Sequence, residues 1–71
     1  MKRYEVQIGA ELGSEVLFIE AASAKEAAAA AATRPIWDEP GVFTVVVFDE
    51  NDAKTTWKLR IPSGEVWRHN D

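Results

Sequence analysis

A chain of 71 residues without cysteine has room for one small core and none for a disulfide framework or a thiolate metal site. Twelve acidic residues against eight basic leave a net charge of −4, which argues against coating duplex phosphates and suits either plain solubility or docking on basic surfaces. The opening MKRYEVQIGAEL lacks the apolar run of a signal peptide, and no stretch reaches the roughly 20 apolar residues of a membrane span, so a soluble cytoplasmic protein is expected.

Arg3 to Ile8 alternates, with Tyr4, Val6 and Ile8 on one side and Arg3, Glu5 and Gln7 on the other, the period of a half-buried strand. Gly9 to Glu15 (GAELGSE) reads as a turn, and Glu15 to Ala21 as a second strand making a hairpin with the first. Val16, Leu17, Phe18 and Ile19 are consecutive apolar residues, so both faces of that strand look covered.

The stretch SAKEAAAAAAT, Ser23 to Thr33, carries a helix start signal. Ser23 and Glu26 form the S-x-x-E box, in which the serine oxygen accepts a first-turn amide and the glutamate reaches back to the serine amide. Alanine favours helix most strongly, so Ala24 to Thr33 should be helical, about 15 Å long at ~1.5 Å per residue. Arg34-Pro35 ends it, because the residue before a proline is pushed out of the helical region. So short a helix is marginal alone and must lean on the sheet. Its small side chains allow close approach, with bulk supplied by Tyr4, Phe18, Phe43 and Trp57.

Pro35 to Gly41 (PIWDEPG) is a loop in which Ile36 and Trp37 plug the end of the core. Val42 to Glu50 is the strongest strand, turned at Asn51-Asp52. Lys54 to Ile61 alternates again, with Thr55, Trp57, Leu59 and Ile61 inward and Lys54, Thr56, Lys58 and Arg60 outward. After the turn Pro62 to Gly64, Glu65 to Arg68 is a candidate fifth strand.

The chain therefore reads as one α+β domain over residues 1–71, ββαββ with an optional last β. An antiparallel-rich sheet of four to five strands carries one alanine-rich helix on one face. Polar outer faces on the first and fourth strands suggest that the second and third lie centrally, joined by a right-handed crossover. The rival is an all-antiparallel order with the first and third strands adjacent.

One helix covers one face of a sheet. Val46 and Phe48 should lie opposite it, with Val16 or Phe18 nearby, and exposed apolar patches usually mark interaction sites. A second copy is expected to cover that face, giving a homodimer; the competing cover is Trp67 and its segment, which would give a monomer.

Two charged sets are candidates for partner contact. Asp49, Glu50 and Asp52 gather at a hairpin tip and Asp38 and Glu39 in the other large loop, an acidic docking surface or simply solvated turns. As exposed turn charges, Asp49, Glu50 and Asp52 should contribute little stability. Lys54, Lys58 and Arg60 project from one side of one strand and, with Trp67 and Arg68, could meet nucleic acid; the same lysines also protect a strand from edge-to-edge aggregation. No metal or other cofactor is implied, since the calcium-loop spacing is absent. A single histidine near the end, no nucleophile elbow and no glycine-rich phosphate loop give catalysis no support.

In its size, acidity, lack of cysteine, element order and helix segment EAASAKEAAAAAA (Glu20 to Ala32), the whole chain resembles the small inhibitor proteins encoded by phages and mobile elements, including anti-CRISPR proteins. The resemblance implies action without catalysis: binding a host protein or ribonucleoprotein complex that handles nucleic acid, in the host cytoplasm, and blocking a site. It assigns no individual residue. The expected function is a non-enzymatic protein-binding inhibitor or adaptor, with a small nucleic-acid-binding domain and a purely structural homo-oligomeric module as alternatives.

Overall fold

The structure, a computed structural model, describes residues 1–9, 15–35 and 37–69. Ile36, most of the GAELGSE turn and the last two residues of the polar tail lie outside that set.

Five strands form one sheet: β1 (Lys2–Ile8), β2 (Val16–Ala21), β3 (Gly41–Phe48), β4 (Lys54–Ile61) and β5 (Val66–Arg68), in the order β2-β1-β3-β4-β5. Every neighbouring pair is antiparallel. The fold is α+β, with a small helix, α1 (Ala24–Ala30), packed on the sheet. No helix among the described residues is long and apolar enough to cross a membrane.

The strand order corrects the expected central position of β2. β2 is an edge, β1 lies between β2 and β3, and the crossover through α1 passes over β1. The rival arrangement, with the first and third strands adjacent, is the one formed. The polar outer positions of β1 do not mark an edge, because the whole face to which Arg3, Glu5 and Gln7 belong is turned away from the helix.

The inward positions of β1 and β4 fall largely as their alternation requires. Tyr4, Val6 and Ile8 are buried, as are Leu59 and Ile61, with Trp57 packed against the cluster. From β3, Val45 and Val47 complete the layer, and β2 contributes Ile19 and Ala21. Phe18 is a correction: expected to supply bulk beneath the helix, it sits on the opposite face and is 59% exposed.

α1 is stopped and started much as the sequence suggests. Ser23 Oγ accepts the Glu26 amide at 3.2 Å, whereas Glu26 Oε2 accepts the amide of Ala22 at 3.2 Å, one residue before the expected Ser23. Ala31–Thr33 tightens into a 3-10 turn, so the helical segment reaches Thr33 but changes pitch. Thr33 Oγ1 donates to the Ala30 carbonyl at 2.8 Å, and Arg34 leaves in extended conformation before Pro35. Ala27, Ala28 and Ala31 are completely buried, and α1 contacts all five strands. A methyl-sized helix face thus lets one short helix span the layer.

Trp37 closes one end of that layer. Its indole Nε1 donates to the Ala31 carbonyl at 2.9 Å, and its ring lies 4.9 Å from that of Phe43.

Candidate protein-binding face

Opposite α1 the sheet has a second face, and its composition follows from register. Directly paired residues of antiparallel strands share a face. One row runs Phe18, Glu5, Phe48, Lys54 across β2, β1, β3 and β4; the next runs Val16, Gln7, Val46, Thr56. Further along, Thr44, Lys58 and Trp67 make a row across β3, β4 and β5, followed by Val42 and Arg60. Val46 and Phe48 are therefore opposite the helix, and Val16 and Phe18 share their face. Val16 and Val42 are 47% and 49% exposed, while Val46 and Phe48 are half-buried. Trp67 lies on the same face but on β5, two strands from β3 and level with Thr44, so it does not extend over Phe48.

At the β3–β4 turn end of this face is a groove of about 280 Å³ bordered by Arg3, Tyr4, Glu5, Phe18, Phe48, Asp49, Glu50 and Asp52. Two surfaces that were separate in the sequence, the spare apolar positions and the acidic hairpin tip, meet there. Their meeting depends on β1 lying beside β3, since β1 brings Arg3 and Glu5. Neither residue is singled out by sequence reasoning; the signal was their position on the outward side of β1, uninformative until β1 is known to be central. Gln7 Nε2 donates to Glu5 Oε2 at 2.7 Å, fixing that carboxylate on the open face.

The three turn carboxylates differ in their duties. Asp49 Oδ1 accepts the amides of Asn51 and Ala53 at 2.8 and 2.9 Å, so Asp49 builds the turn. Asp52 has φ 63°, the left-handed region that aspartate tolerates better than most residues. Glu50 is exposed.

Asp38 and Glu39 do not join them. They border a second groove, of about 270 Å³, with Trp37, Pro40, Ile61 and Pro62. β3 lies between the two acidic loops, a span of roughly 25 Å at ~3.4 Å per residue. The expected acidic surface is thus two separate ones.

The basic set divides as well. Lys54, Lys58, Arg60 and Trp67 share the open face, whereas Arg68 is paired with Trp57 on the helix side and lies over its ring, 5.4 Å from the centroid. Lys58 Nζ donates to Thr44 Oγ1 at 2.7 Å. Arg60 lies 3.5 Å from the Glu65 carboxylate and 5.4 Å over the Trp67 ring. Lys54 stands opposite Phe48, near the acidic groove. The open face is consequently polarised: carboxylates crowd the β3–β4 turn end, and Lys58 and Arg60 with Trp67 occupy the other.

Among the described residues no group of three or more His, Asp or Glu is gathered as metal ligands would be. The His69 amide donates to the Thr56 carbonyl at 3.0 Å. No protein-family model matches this chain, and no curated protein and no solved structure matches it.

Proposed function

We propose that this chain is a non-enzymatic protein-binding module, an inhibitor or adaptor, that docks the turn end of its open sheet face on a basic surface of a partner protein. One observation carries the reading: Phe18 and Phe48 border the same groove as Glu5, Asp49, Glu50 and Asp52. Aromatic rings supply the contact area that anchors interfaces, and a carboxylate rim steers a basic partner and excludes acidic ones. Proteins that handle nucleic acid present such basic surfaces, so blocking one of them suits a chain with this groove and a net charge of −4.

The test pairs capture with substitution. Partners retained from host lysate by the wild-type chain are identified, and binding of the purified partner is titrated against salt. Glu5→Gln combined with Glu50→Gln and Asp52→Asn should weaken binding at least tenfold at low salt, and wild-type affinity should fall as salt rises. Affinity unchanged by the three substitutions and by salt would overturn the reading.

A second reading rests on the opposite end of the same face, where Arg60 stacks on Trp67 beside Lys58. An aromatic platform with flanking cations is how single-stranded nucleic acid is held. The carboxylates of Glu5, Glu50 and Asp52 on the same side of the sheet work against it.

A further inference from the structure

The two edges of the sheet are unlike. In an antiparallel ladder, residues alternate between pairs that exchange backbone hydrogen bonds and pairs that do not. On the β5 side, His69 N–H donates to the Thr56 carbonyl and Arg60 N–H to the Glu65 carbonyl. Lys58 and Trp67, midway between, are bonded by the same alternation, so β5 directs the backbone of only Val66 and Arg68 outward. A short strand bearing a cation is a protected edge.

β2 has no such protection. Its six residues, VLFIEA, include no proline, lysine or arginine. Ile8 N–H donates to the Glu15 carbonyl at 2.9 Å, one register step beyond Gln7 and Val16. Counting from there, Leu17, Ile19 and Ala21 are bonded to β1, and Val16, Phe18 and Glu20 direct their N–H and C=O groups to the open edge. The same three residues carry their side chains on the open face, and all three are exposed.

We propose that this edge pairs with the β2 edge of a second copy of the chain, antiparallel and centred on Phe18, to give one continuous sheet across a two-fold axis. The occupant is a second copy because the edge is complementary to itself. With Phe18 opposite its own counterpart, Val16 meets Glu20 of the other copy and Glu20 meets Val16. Every outward N–H and C=O of the three residues then has a partner. On the helix side Leu17 comes opposite Ile19, extending the buried layer from one copy into the next. No like charges fall opposite each other: each Glu20 faces a valine, and the Glu5 side chains lie one strand back on either side. Shifting the register by two residues in one direction leaves Val16 facing Ala22 beyond the strand and sets Phe18 against a carboxylate; in the other direction Phe18 meets Val16, but Glu20 is carried past the start of the strand and loses its partner. Strand pairing alone buries an area at the low end for specific interfaces, so the pair forms at high concentration and dissociates on dilution. It shares Phe18 with the partner reading above but uses backbone groups rather than the carboxylates, so self-association measured without partner tests it separately, and it leaves both open faces on one side of the joined sheet.

The chain contains no cysteine, which makes cross-linking decisive. Directly opposed, hydrogen-bonded residues have Cα atoms about 5.5 Å apart, within reach of a short bifunctional thiol reagent. Phe18→Cys should give a covalent dimer with a short bis-maleimide at high protein concentration, and Val42→Cys, on the open face away from the edge, should not. In sedimentation, the wild-type mass should rise with concentration from 7.9 kDa towards twice that value. Phe18→Lys, which sets two cations against each other on the axis, should hold it at 7.9 kDa with the circular dichroism spectrum retained. If that variant fails to fold, amide exchange on the wild-type chain substitutes: protection at Val16, Phe18 and Glu20 should grow with protein concentration while Val66 is unaffected. A mass of 7.9 kDa at every concentration, exchange independent of concentration, or cross-linking through Val42→Cys without Phe18→Cys would each overturn the proposal.

Discussion

The guanidinium of Arg3 lies over the ring of Phe18, 5.5 Å from its centroid, on the face of the sheet turned away from the helix. It covers part of an aromatic side chain that is otherwise wet, and it places a cation inside a groove whose other charged residues are all carboxylates. Exposed pairs of this kind contribute about 0.5–1 kcal/mol. A double-mutant cycle of Arg3→Ala and Phe18→Leu, followed by urea denaturation, should return a coupling of that size. Arg3 also opposes the proposed docking of a basic partner, so Arg3→Gln should raise the association rate at low salt, with the gain lost in high salt. A slower association for Arg3→Gln would mean that the partner is not basic.

Asp49 and its neighbours in the turn should respond differently to substitution. Removing the Asp49 carboxylate leaves the amides of Asn51 and Ala53 without their acceptor, and Asp49→Ala should cost about 1–2 kcal/mol in urea denaturation. Glu50→Gln should stay within about 0.5 kcal/mol of wild type. Asp52→Asn should also be mild, because asparagine tolerates positive φ, whereas Asp52→Val should lose about 1–2 kcal/mol or more at φ 63°. The expectation that exposed turn charges contribute little stability thus does not extend to Asp49, whose carboxylate accepts two turn amides. An alanine at position 49 would confound any binding experiment with loss of the turn.

What the sequence could carry, and what it could not, is clearest at β1 and β2. Period two in Arg3 to Ile8 and Lys54 to Ile61 identifies the helix-facing residues, because burial on one face selects side chains at every second position. The run Val16 to Ile19 has no such period, and it reads as a strand covered on both sides. It is an edge strand with Val16 and Phe18 exposed. Apolar content reports that a strand has a use for apolar surface, not whether its own chain covers it. Arg3, Glu5 and Gln7 misled in the opposite direction: polar residues on β1 suggested an edge, although β1 is flanked on both sides. The groove was illegible for the same reason, since it exists only once β1 is placed against β3. The separation of Asp38 and Glu39 from Asp49 is likewise a matter of strand length and direction, which residue types do not reveal.

The basic end of the open face makes its own prediction. Lys58 is engaged with Thr44, and Arg60 with Glu65 and Trp67. With a net charge of −4, the chain should not shift a labelled single-stranded oligonucleotide at micromolar concentration in moderate salt. Band-shift titration checks this. A clear shift that rises steeply as salt falls and vanishes in Lys58→Glu would exchange the two functional readings.

The alanine helix gives the last prediction. Ala27, Ala28 and Ala31 are completely buried, and the helix they belong to touches every strand. If close approach is the reason for alanine there, enlarging one of these positions must separate helix and sheet. Ala28→Leu should then destabilise by about 1–3 kcal/mol, the usual cost of overpacking a filled core. Lys25→Leu, an exposed position on the same helix, should change stability by less than about 0.5 kcal/mol. Helix propensity differs little between alanine and leucine, so propensity alone predicts no large loss at position 28. Urea midpoints of the two variants separate the accounts: a stable Ala28→Leu chain would mean that alanine serves only as a helix former, and an unstable one beside an unchanged Lys25→Leu that the sheet requires a helix face no thicker than a methyl group.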